Sequence, residues 1–405
     1  MPQFSFLPQF PLPANPLALF GVLLLAGALV GELTRRVLNL PRITGYVLIG
    51  LALGASGLNV LDARMLGFSR VFLDIGLGLV LFELGRRLDL DWFKRDHWLA
   101  AIAISEIVLS FGCMFGALVW FGIAPLYASV AAAIGVSSSP AIVLLVAREL
   151  NAEGQVTERA LNLVALNSVA AFVLATMLLS WIHREYHASW TVMMLHPLYI
   201  LLGSACAGLL ASAVVIALAT WIGKRIELHA ALLVAMVALM IGAAEALKLS
   251  VLIVMLIFGA LVRNLDSAHA LMPVDIGRFG QVFFIVLFVT TGAILKVGDL
   301  IAGGAIAAVY IAARFVGKSI GVLTFAHLSG IKPGSGGLLS IALAPMSGIA
   351  IAMTYSADSV YPEFGAKLAT IVLAAALILE LAGPVAVQFA LRRAGEAQEE
   401  TTWAR

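Results

Sequence analysis

The sequence predicts an all-α polytopic membrane protein, and three observations support this fold class. Of its 405 residues, 62% are hydrophobic and 12% are charged, with a mean hydropathy of +1.04; a soluble domain is about half apolar and about one quarter charged. The apolar segments are long and numerous, so they span a bilayer rather than fill a buried core. The alternating pattern of a membrane barrel is missing, and backbone groups in hydrocarbon must pair internally, so the spans are expected to be helices.

Thirteen apolar segments are candidates for transmembrane helices. They lie at about 16–36, 41–58, 70–87, 98–122, 125–149, 157–182, 197–223, 229–247, 250–263, 277–296, 299–326, 335–356 and 364–392. Cytoplasmic loops carry the excess of Lys and Arg in membrane proteins. With the N-terminus outside, the inner loops and tail hold 17 of the 25 Lys and Arg residues, and the outer loops hold six. We therefore expect a cytoplasmic C-terminus, one transmembrane domain over 1–405, and no C-terminal regulatory domain.

The fifth segment, AAAIGVSSSPAIVLLVAREL, contains helix-disrupting residues at its centre. Gly135 is followed by Ser137, Ser138 and Ser139, and then by Pro140. Proline lacks a backbone donor and disfavours helical geometry in the residue before it. One interpretation is a simple kink in which the serine hydroxyls bond the freed carbonyls.

The twelfth segment, GGLLSIALAPMSGIAIAMTY, has the same feature, with Pro345, Ser347 and Gly348 at its centre. An offset of seven spans is odd, so the two segments cross the membrane in opposite directions. Paired interrupted helices in an inverted repeat indicate a transport site near the midplane, where half-helix ends present dipoles and free backbone groups. The sequence favours a pair of interrupted helices at a transport site over two unrelated kinks.

Ionisable residues inside apolar segments are the next candidates for function, because each one is costly in a bilayer. Arg314 and Lys318 lie four residues apart in the eleventh segment, on one helix face. Glu106 in the fourth segment and Glu380 in the thirteenth are the natural partners of these cations. Structural ion pairs and a direct role in transport both remain open at this point.

Several stretches together resemble a known family. In chain order they include LPRITGYVLIGLALGASGLN, LDIGLGLVLFELGRRLDLD, SSSPAIVLLVAREL, LVRNLDSAHALMPVDIGRFGQVFFIVLFVTTGAIL, RFVGKSIG, APMSGIAIAM and LELAGPVAVQFALRR. Their order resembles the monovalent cation:proton antiporters, in particular the branch that contains the Kef-type and NapA-type sodium/proton exchangers.

This resemblance implies a NapA/NhaA-like antiporter fold. Spans at about 98–182 and 299–392 would form a mobile core in which the two broken helices cross. Spans at about 16–87 and 197–296 would form a scaffold that makes a homodimer, and transport would be by elevator-like alternating access. The expected location is a bacterial inner (plasma) membrane.

The resemblance also assigns roles to charged residues. Arg314, in RFVG, falls where the family has its basic core residue, and Lys318 is a second possibility. The expected partners are monovalent cations, protons and the lipid bilayer. No cofactor, metal site or nucleic-acid partner is expected.

One position departs from the family pattern. In the sixth segment, NLVALNSVAAFVLA, the family has a pair of polar residues whose second member is an ion-binding Asp, whereas this chain has Asn167 and Ser168. A carboxylate both titrates and binds a hard cation, but a serine hydroxyl does not titrate in the useful range. If the protein exchanges protons, another group must carry them, and Glu106, Glu380 and Lys318 are the candidates.

Two functions remain open from the sequence. The first is a secondary active transporter that exchanges Na⁺ or K⁺ for H⁺ through an altered ion site. The alternative is a non-exchanging membrane protein of the same fold, such as a sensor, a partner or a facilitator of another small solute, in which Asn167 and Ser168 only join helices. An enzyme is not expected, because no nucleophile–base arrangement or nucleotide loop is visible.

Overall fold

The protein is built of helices, as a computed structural model shows. The structure describes residues 15–61, 63–88, 96–185, 190–266, 271, 276–332, 334–346, 348–360 and 362–398. The helices are Pro16–Leu38 (α1), Arg42–Leu53 (α2), Ala63–Arg87 (α3), His97–Trp120 (α4), Pro125–Val136 (α5), Pro140–Glu149 (α6), Gln155–Glu185 (α7), Trp190–Ile222 (α8), Ile226–Ala246 (α9), Val251–Leu265 (α10), Ile276–Ile294 (α11), Val297–Ala326 (α12), Ser335–Ala342 (α13), Gly348–Val360 (α14) and Pro362–Arg393 (α15). The part of the chain described here contains no strand, which agrees with the all-α prediction.

Each predicted apolar segment is occupied by helix. Within the described residues, eight helical stretches are long and apolar enough to cross a membrane, and three more apolar helices are shorter. The second segment is helical only to Leu53, because the chain then turns back and the amides of Val60 and Leu61 bond the carbonyl of Leu53. The fifth and twelfth segments are each divided into two helices.

The first interruption separates α5 from α6. Residues 137–139 are not helical, and Ser139 is the N-cap of α6, with its hydroxyl accepting from the amide of Ile142 at 3.4 Å. Pro140 occupies the first position of α6, where its missing N–H costs no hydrogen bond. Pro140 therefore starts a new helix, and the simple-kink interpretation is wrong.

The second interruption separates α13 from α14. The first half-helix ends at Ala342, residues 343–346 are not helical, and Gly348 is the first residue of the second half-helix. Ser347 lies outside the described residues. Pro345 is in the non-helical segment and is buried, so it ends the first half of this segment, whereas Pro140 begins the second half of the other.

Two glycines bring α12 close to α4. A Cβ at Gly317 would overlap the backbone of Ser110 and Leu109, and a Cβ at Gly321 would overlap the backbone of Glu106. Small residues of this kind let helix backbones approach each other in membranes. Because Lys318 follows Gly317 directly, this close packing places its side chain beside α4.

The segment after α15 folds back onto the start of α7. The carboxylate of Glu396 accepts from the amides of Val156 and Thr157 at 2.8 and 2.7 Å, and from the Thr157 hydroxyl at 2.8 Å. Its carbonyl accepts from the amide of Glu153, and the Gln398 amide donates to Leu150. Glu396 is therefore the cap of α7, supplied from the far end of the chain, and its charge matches the positive end of the helix dipole.

Candidate functional site

The two helix interruptions contact each other. The amide of Ser139 donates to the carbonyl of Pro345 at 3.0 Å, and the hydroxyl of Ser138 donates to the carbonyl of Leu343 at 2.9 Å. Ser137 bonds within its own segment, from its hydroxyl to the carbonyl of Ile134 at 2.8 Å. All three serines are buried. The predicted pair of interrupted helices thus meets at one point, which we call the crossing (residues 137–139 and 343–346).

Arg314 joins the two sides of the crossing. In the first segment, its Nε donates to the carbonyl of Gly135 at 2.8 Å and its Nη2 to that of Ser137 at 2.7 Å. In the second, its Nη1 donates to Ala344 at 2.6 Å and its Nη2 to Pro345 at 3.2 Å. The guanidinium therefore satisfies carbonyls that the ends of α5 and α13 leave free, where the dipoles of both half-helices are negative. Its closest partners are backbone carbonyls and not the carboxylates that the sequence suggested.

Three side chains of α12, one from each of three successive turns, donate hydrogen bonds to backbone carbonyls near the end of α5. Tyr310, Arg314 and Lys318 are spaced by four residues and are all buried. The hydroxyl of Tyr310 donates to the carbonyl of Ala131 at 2.8 Å, and the Nζ of Lys318 donates to that of Val136 at 3.0 Å. Tyr310 was not predicted from sequence, although its spacing of four before Arg314 was visible.

Lys318 also forms an ion pair with Glu106 on α4. Neither side chain has any solvent exposure, and the second carboxylate oxygen of Glu106, Oε2, has no hydrogen-bond partner within the described structure. A buried ion pair is weak evidence for stability, because desolvation of both charges offsets their attraction. The pairing of Lys318 with Glu106 suggested by the sequence is confirmed. It places a carboxylate on α4, whereas the family resemblance puts the Asp at the position of Ser168 on α7.

Asn167 and Ser168 lie against the same crossing. The Ser168 hydroxyl contacts the carbonyl of Val164 at 2.8 Å and that of Ser138 at 3.2 Å. Asn167 is fully buried, and neither its Oδ1 nor its Nδ2 has a hydrogen-bond partner among the residues described. Buried polar groups are nearly always paired, so the Asn167 amide is a candidate to bind a water or an ion.

Glu380 is buried but is not part of these contacts. Its Oε2 has no hydrogen-bond partner, and no described cation forms an ion pair with it. The suggested pairing of Glu380 with Arg314 or Lys318 is wrong: Arg314 bonds backbone carbonyls of the crossing, and Lys318 bonds Glu106 and the carbonyl of Val136. Glu380 does lie one turn before Gly383, which packs directly on Pro345, so it faces the same region of the fold.

A cavity of about 1280 Å³ lies beside this site, between α2, α3, α6, α7, α10 and α11. Its lining includes the arginines Arg42, Arg86, Arg87, Arg148, Arg159 and Arg263 and the glutamates Glu83, Glu149, Glu153 and Glu158. We call it the arginine-lined cavity. It also reaches Asn162, which lies five residues before Asn167 on α7. This cavity was not predictable from the sequence, because its six arginines are distributed over five helices.

Comparison with known proteins identifies the family to which this architecture belongs. Residues 21–393 match the family described as "Sodium/hydrogen exchanger, transmembrane". The chain belongs to the sodium/hydrogen exchanger family. It is accordingly an integral multi-pass membrane protein from a family of transporters and not of enzymes.

Relatives of known name or structure agree with this family. The chain is 36% identical over 87 residues to the Na(+)/H(+) antiporter NhaS5 of Synechocystis sp., an alignment that covers 22% of this chain and only 12% of that relative. A structure of the sodium proton antiporter MjNhaP1 from Methanocaldococcus jannaschii at pH 8 superposes with a TM-score of 0.70 at 14% identity, covering 93% of this chain and 98% of the other. An electron-microscopy structure of the same antiporter gives 0.72 at 16% identity, with 95% and 99% covered. The exchanger family inferred from the sequence is confirmed, and the fold is that of MjNhaP1.

Proposed function

We propose that this protein exchanges a monovalent cation, Na⁺ or K⁺, for H⁺, and that Glu106 with Lys318 replaces the missing carboxylate of the family site. The observation that carries this proposal is the buried Lys318–Glu106 pair, whose lysine also bonds the Val136 carbonyl at the crossing. Val136 and Ser138 are two residues apart, so the carbonyls bonded by Lys318 and by Ser168 are separated by at most about 7 Å of chain. The ion pair and the polar pair Asn167–Ser168 therefore serve one site.

Competition between a cation and a proton follows from this arrangement. When Lys318 is protonated, its ammonium neutralises Glu106 and occupies the place of a cation. When Lys318 releases that proton to water, the Glu106 carboxylate is left for a hard cation, which prefers oxygen ligands. The amide oxygen of Asn167 and the carbonyls of the crossing are further oxygen ligands for the cation. The Ser168 hydroxyl adds another ligand that carries no charge. A desolvated lysine is suited to this change of protonation.

The mobile core, the scaffold and the homodimer are part of the same proposal. The packing of α12 against α4 and α15 and of α10 against α3 and α8 is extensive, which supports a core of α4–α7 and α12–α15 beside a scaffold of α1–α3 and α8–α11. We assign thirteen membrane crossings, with the N-terminus outside and the C-terminus in the cytoplasm of a bacterium. The core would move as one body, since Arg314 ties both interrupted helices together.

The test is exchange in everted membrane vesicles from a host that lacks its own antiporters. The dissipation of an imposed pH gradient on addition of Na⁺ or K⁺ is followed by dye fluorescence between pH 6 and 9. We expect activity in the wild type and its loss in Glu106→Gln, which keeps the shape of the side chain but can neither pair with Lys318 as an anion nor hold the cation. Glu227→Gln is the matched control, because Glu227 is an exposed residue in the first turn of α9.

Two results would overturn the proposal. No response of the wild type to either cation at any pH would favour the non-exchanging alternative. Full activity of Glu106→Gln with an unchanged pH profile would show that exchange occurs but uses another titratable group, and Glu380→Gln would then be the next variant to measure.

A further inference from the structure

One turn of the scaffold is bonded by side chains from two helices of the core. This turn joins α1 to α2 and comprises residues 39–42, which we call the α1–α2 turn. It lies beside the arginine-lined cavity, which separates α2, α3, α10 and α11 from α6 and α7. The assignment of these helices to scaffold and core rests on the proposed function. Polar contacts at this turn therefore help to hold the two bodies in their present relative position.

The last helix of the core, α15, contacts the turn through two side chains. The Nε2 of Gln388 donates to the backbone carbonyl of Asn39 at 3.1 Å, and the Nη2 of Arg392 donates to the Oδ1 of Asn39 at 3.1 Å. Asn39 ends α1 in the left-handed conformation, with a φ of 53°, which Asn adopts more readily than most residues. Both oxygens of this one residue are thus bonded from the core.

The second contact with the turn is made by α6, whose last residue is Glu149. The carboxylate of Glu149 accepts from the amide of Arg42, with distances of 3.2 Å to Oε1 and 3.1 Å to Oε2. Arg42 is the first residue of α2, and the N-cap residue, Pro41, makes no side-chain cap bond. A free amide at the start of a scaffold helix therefore has its acceptor in the core, and the negative charge matches the positive end of the helix dipole. Arg35 of α1 approaches the same carboxylate at 4.0 Å.

The half-helix α6 connects this contact to the crossing. It begins directly after Ser139, whose amide bonds the carbonyl of Pro345. Its ten residues place Glu149 about 15 Å from that bond, at 1.5 Å of rise per residue. A helix of this length moves as a rigid unit, so a displacement of the crossing relative to the scaffold also separates Glu149 from the amide of Arg42.

We propose that the α1–α2 turn is a latch, which holds the core in its present position and releases each time the core moves. The bonded groups suit repeated release, because most of them lie at helix ends that water reaches. Asn39 and Arg392 are exposed, and Arg42 and Glu149 are partly exposed, so water can replace each partner when the latch opens. Gln388 is the exception, at 7% exposed, and its accessibility therefore reports whether the latch is closed.

A reversible cross-link across the latch tests whether it must open during exchange. Cys113→Ala and Cys206→Ala remove the two native cysteines, and Asn39→Cys and Gln388→Cys are then joined by a short bis-methanethiosulfonate reagent. Cation-dependent exchange in everted vesicles is measured before linking, after linking and after reduction. We expect the rate to fall in proportion to the fraction of protein that is linked, and to recover on reduction. Full exchange by the linked protein would overturn the proposal.

The matched control is a cross-link within the core. The hydroxyl of Thr157 donates to the carboxylate of Glu396 at 2.8 Å, and both residues belong to the part of the chain assigned to the core. Linking Thr157→Cys to Glu396→Cys should leave the exchange rate of that variant unchanged. A fall of the same size in this pair would also count against the latch, because the effect would then not depend on joining the core to the scaffold.

Labelling of Gln388→Cys by a maleimide tests the latch without reference to exchange. Its thiol is expected to react only when the turn has moved away, whereas that of Arg393→Cys, at an exposed position, reacts throughout. Glu149→Ala removes the acceptor at the start of α2 and should raise the labelling rate of Gln388→Cys about fivefold, the effect of losing one helix cap. Glu153→Ala, at an exposed position in the next loop, should not change it. If the wild type shows no exchange but this increase is observed, the latch stands and the transport proposal fails. An unchanged labelling rate in Glu149→Ala would overturn the latch.

Discussion

Replacing Arg314 by methionine removes the side chain that joins the two halves of the crossing while keeping a similar length. Four bonds of 3.2 Å or shorter are lost, to the carbonyls of Gly135, Ser137, Ala344 and Pro345. Each buried carbonyl left without a donor costs about 1–3 kcal/mol, and this cost is offset in part because the charged arginine is itself costly to bury. We expect a loss of about 4 kcal/mol in unfolding free energy.

This loss can be read as a change in melting temperature. At about 2.1 cal/mol/K of unfolding entropy per residue, a chain of 405 residues loses about 5 °C for 4 kcal/mol. The assay is thermal unfolding of purified protein followed by intrinsic fluorescence. The melting temperature of Arg314→Lys should fall between those of the wild type and Arg314→Met, because an ammonium group cannot bond the carbonyls of both segments at once. Tyr310→Phe removes one neutral bond on the same helix face and should cost only about 1 °C. A melting temperature of Arg314→Met within 1 °C of wild type would refute the role assigned to Arg314.

Three further predictions concern single positions. Ser168→Asp restores a carboxylate against the crossing and should increase Na⁺-dependent exchange in vesicles; an increase of the same size in the neutral variant Ser168→Asn would contradict this explanation. Gly321→Ala should separate α12 from the backbone of Glu106 and reduce both exchange and melting temperature, whereas Gly116→Ala, with open space around it, should change neither. Glu396→Gln should weaken the cap of α7 by about 1 kcal/mol and increase amide hydrogen exchange in its first turn alone; unchanged protection of Val156 and Thr157 would count against the cap.

The helices were predictable because their signals are local. Long apolar stretches and the bias in Lys and Arg predicted the segments. The Gly, Ser and Pro residues at the centres of the fifth and twelfth segments predicted both interruptions. The role of Pro140 was only partly predictable, since a proline that kinks a helix and one that starts a new helix have the same sequence. The difference depends on the Ser139 amide, which bonds Pro345 across more than 200 residues of chain.

The partners of the buried charges were less predictable. Arg314 and Lys318 share a helix face, and sequence alone suggests carboxylates for both. The backbone carbonyls at the ends of α5 and α13 are acceptors that no residue type reveals, and each nitrogen of the Arg314 guanidinium donates to at least one of them. Only Lys318 reaches a carboxylate, at Glu106, because Gly317 and Gly321 allow α4 to approach. Among the residues that the structure describes, Glu380 therefore has no ion pair.

The cap supplied by Glu396 has a consequence for the order in which the protein is made. The carboxylate lies 240 residues after Val156, whose amide it binds. At a synthesis rate of about 5–20 residues per second, α7 leaves the ribosome about 12–48 s before its cap exists. During that interval the amides at its first turn have only water or lipid headgroups as partners. The helix that carries Asn167 and Ser168 therefore gains this cap only after residue 396 has been translated.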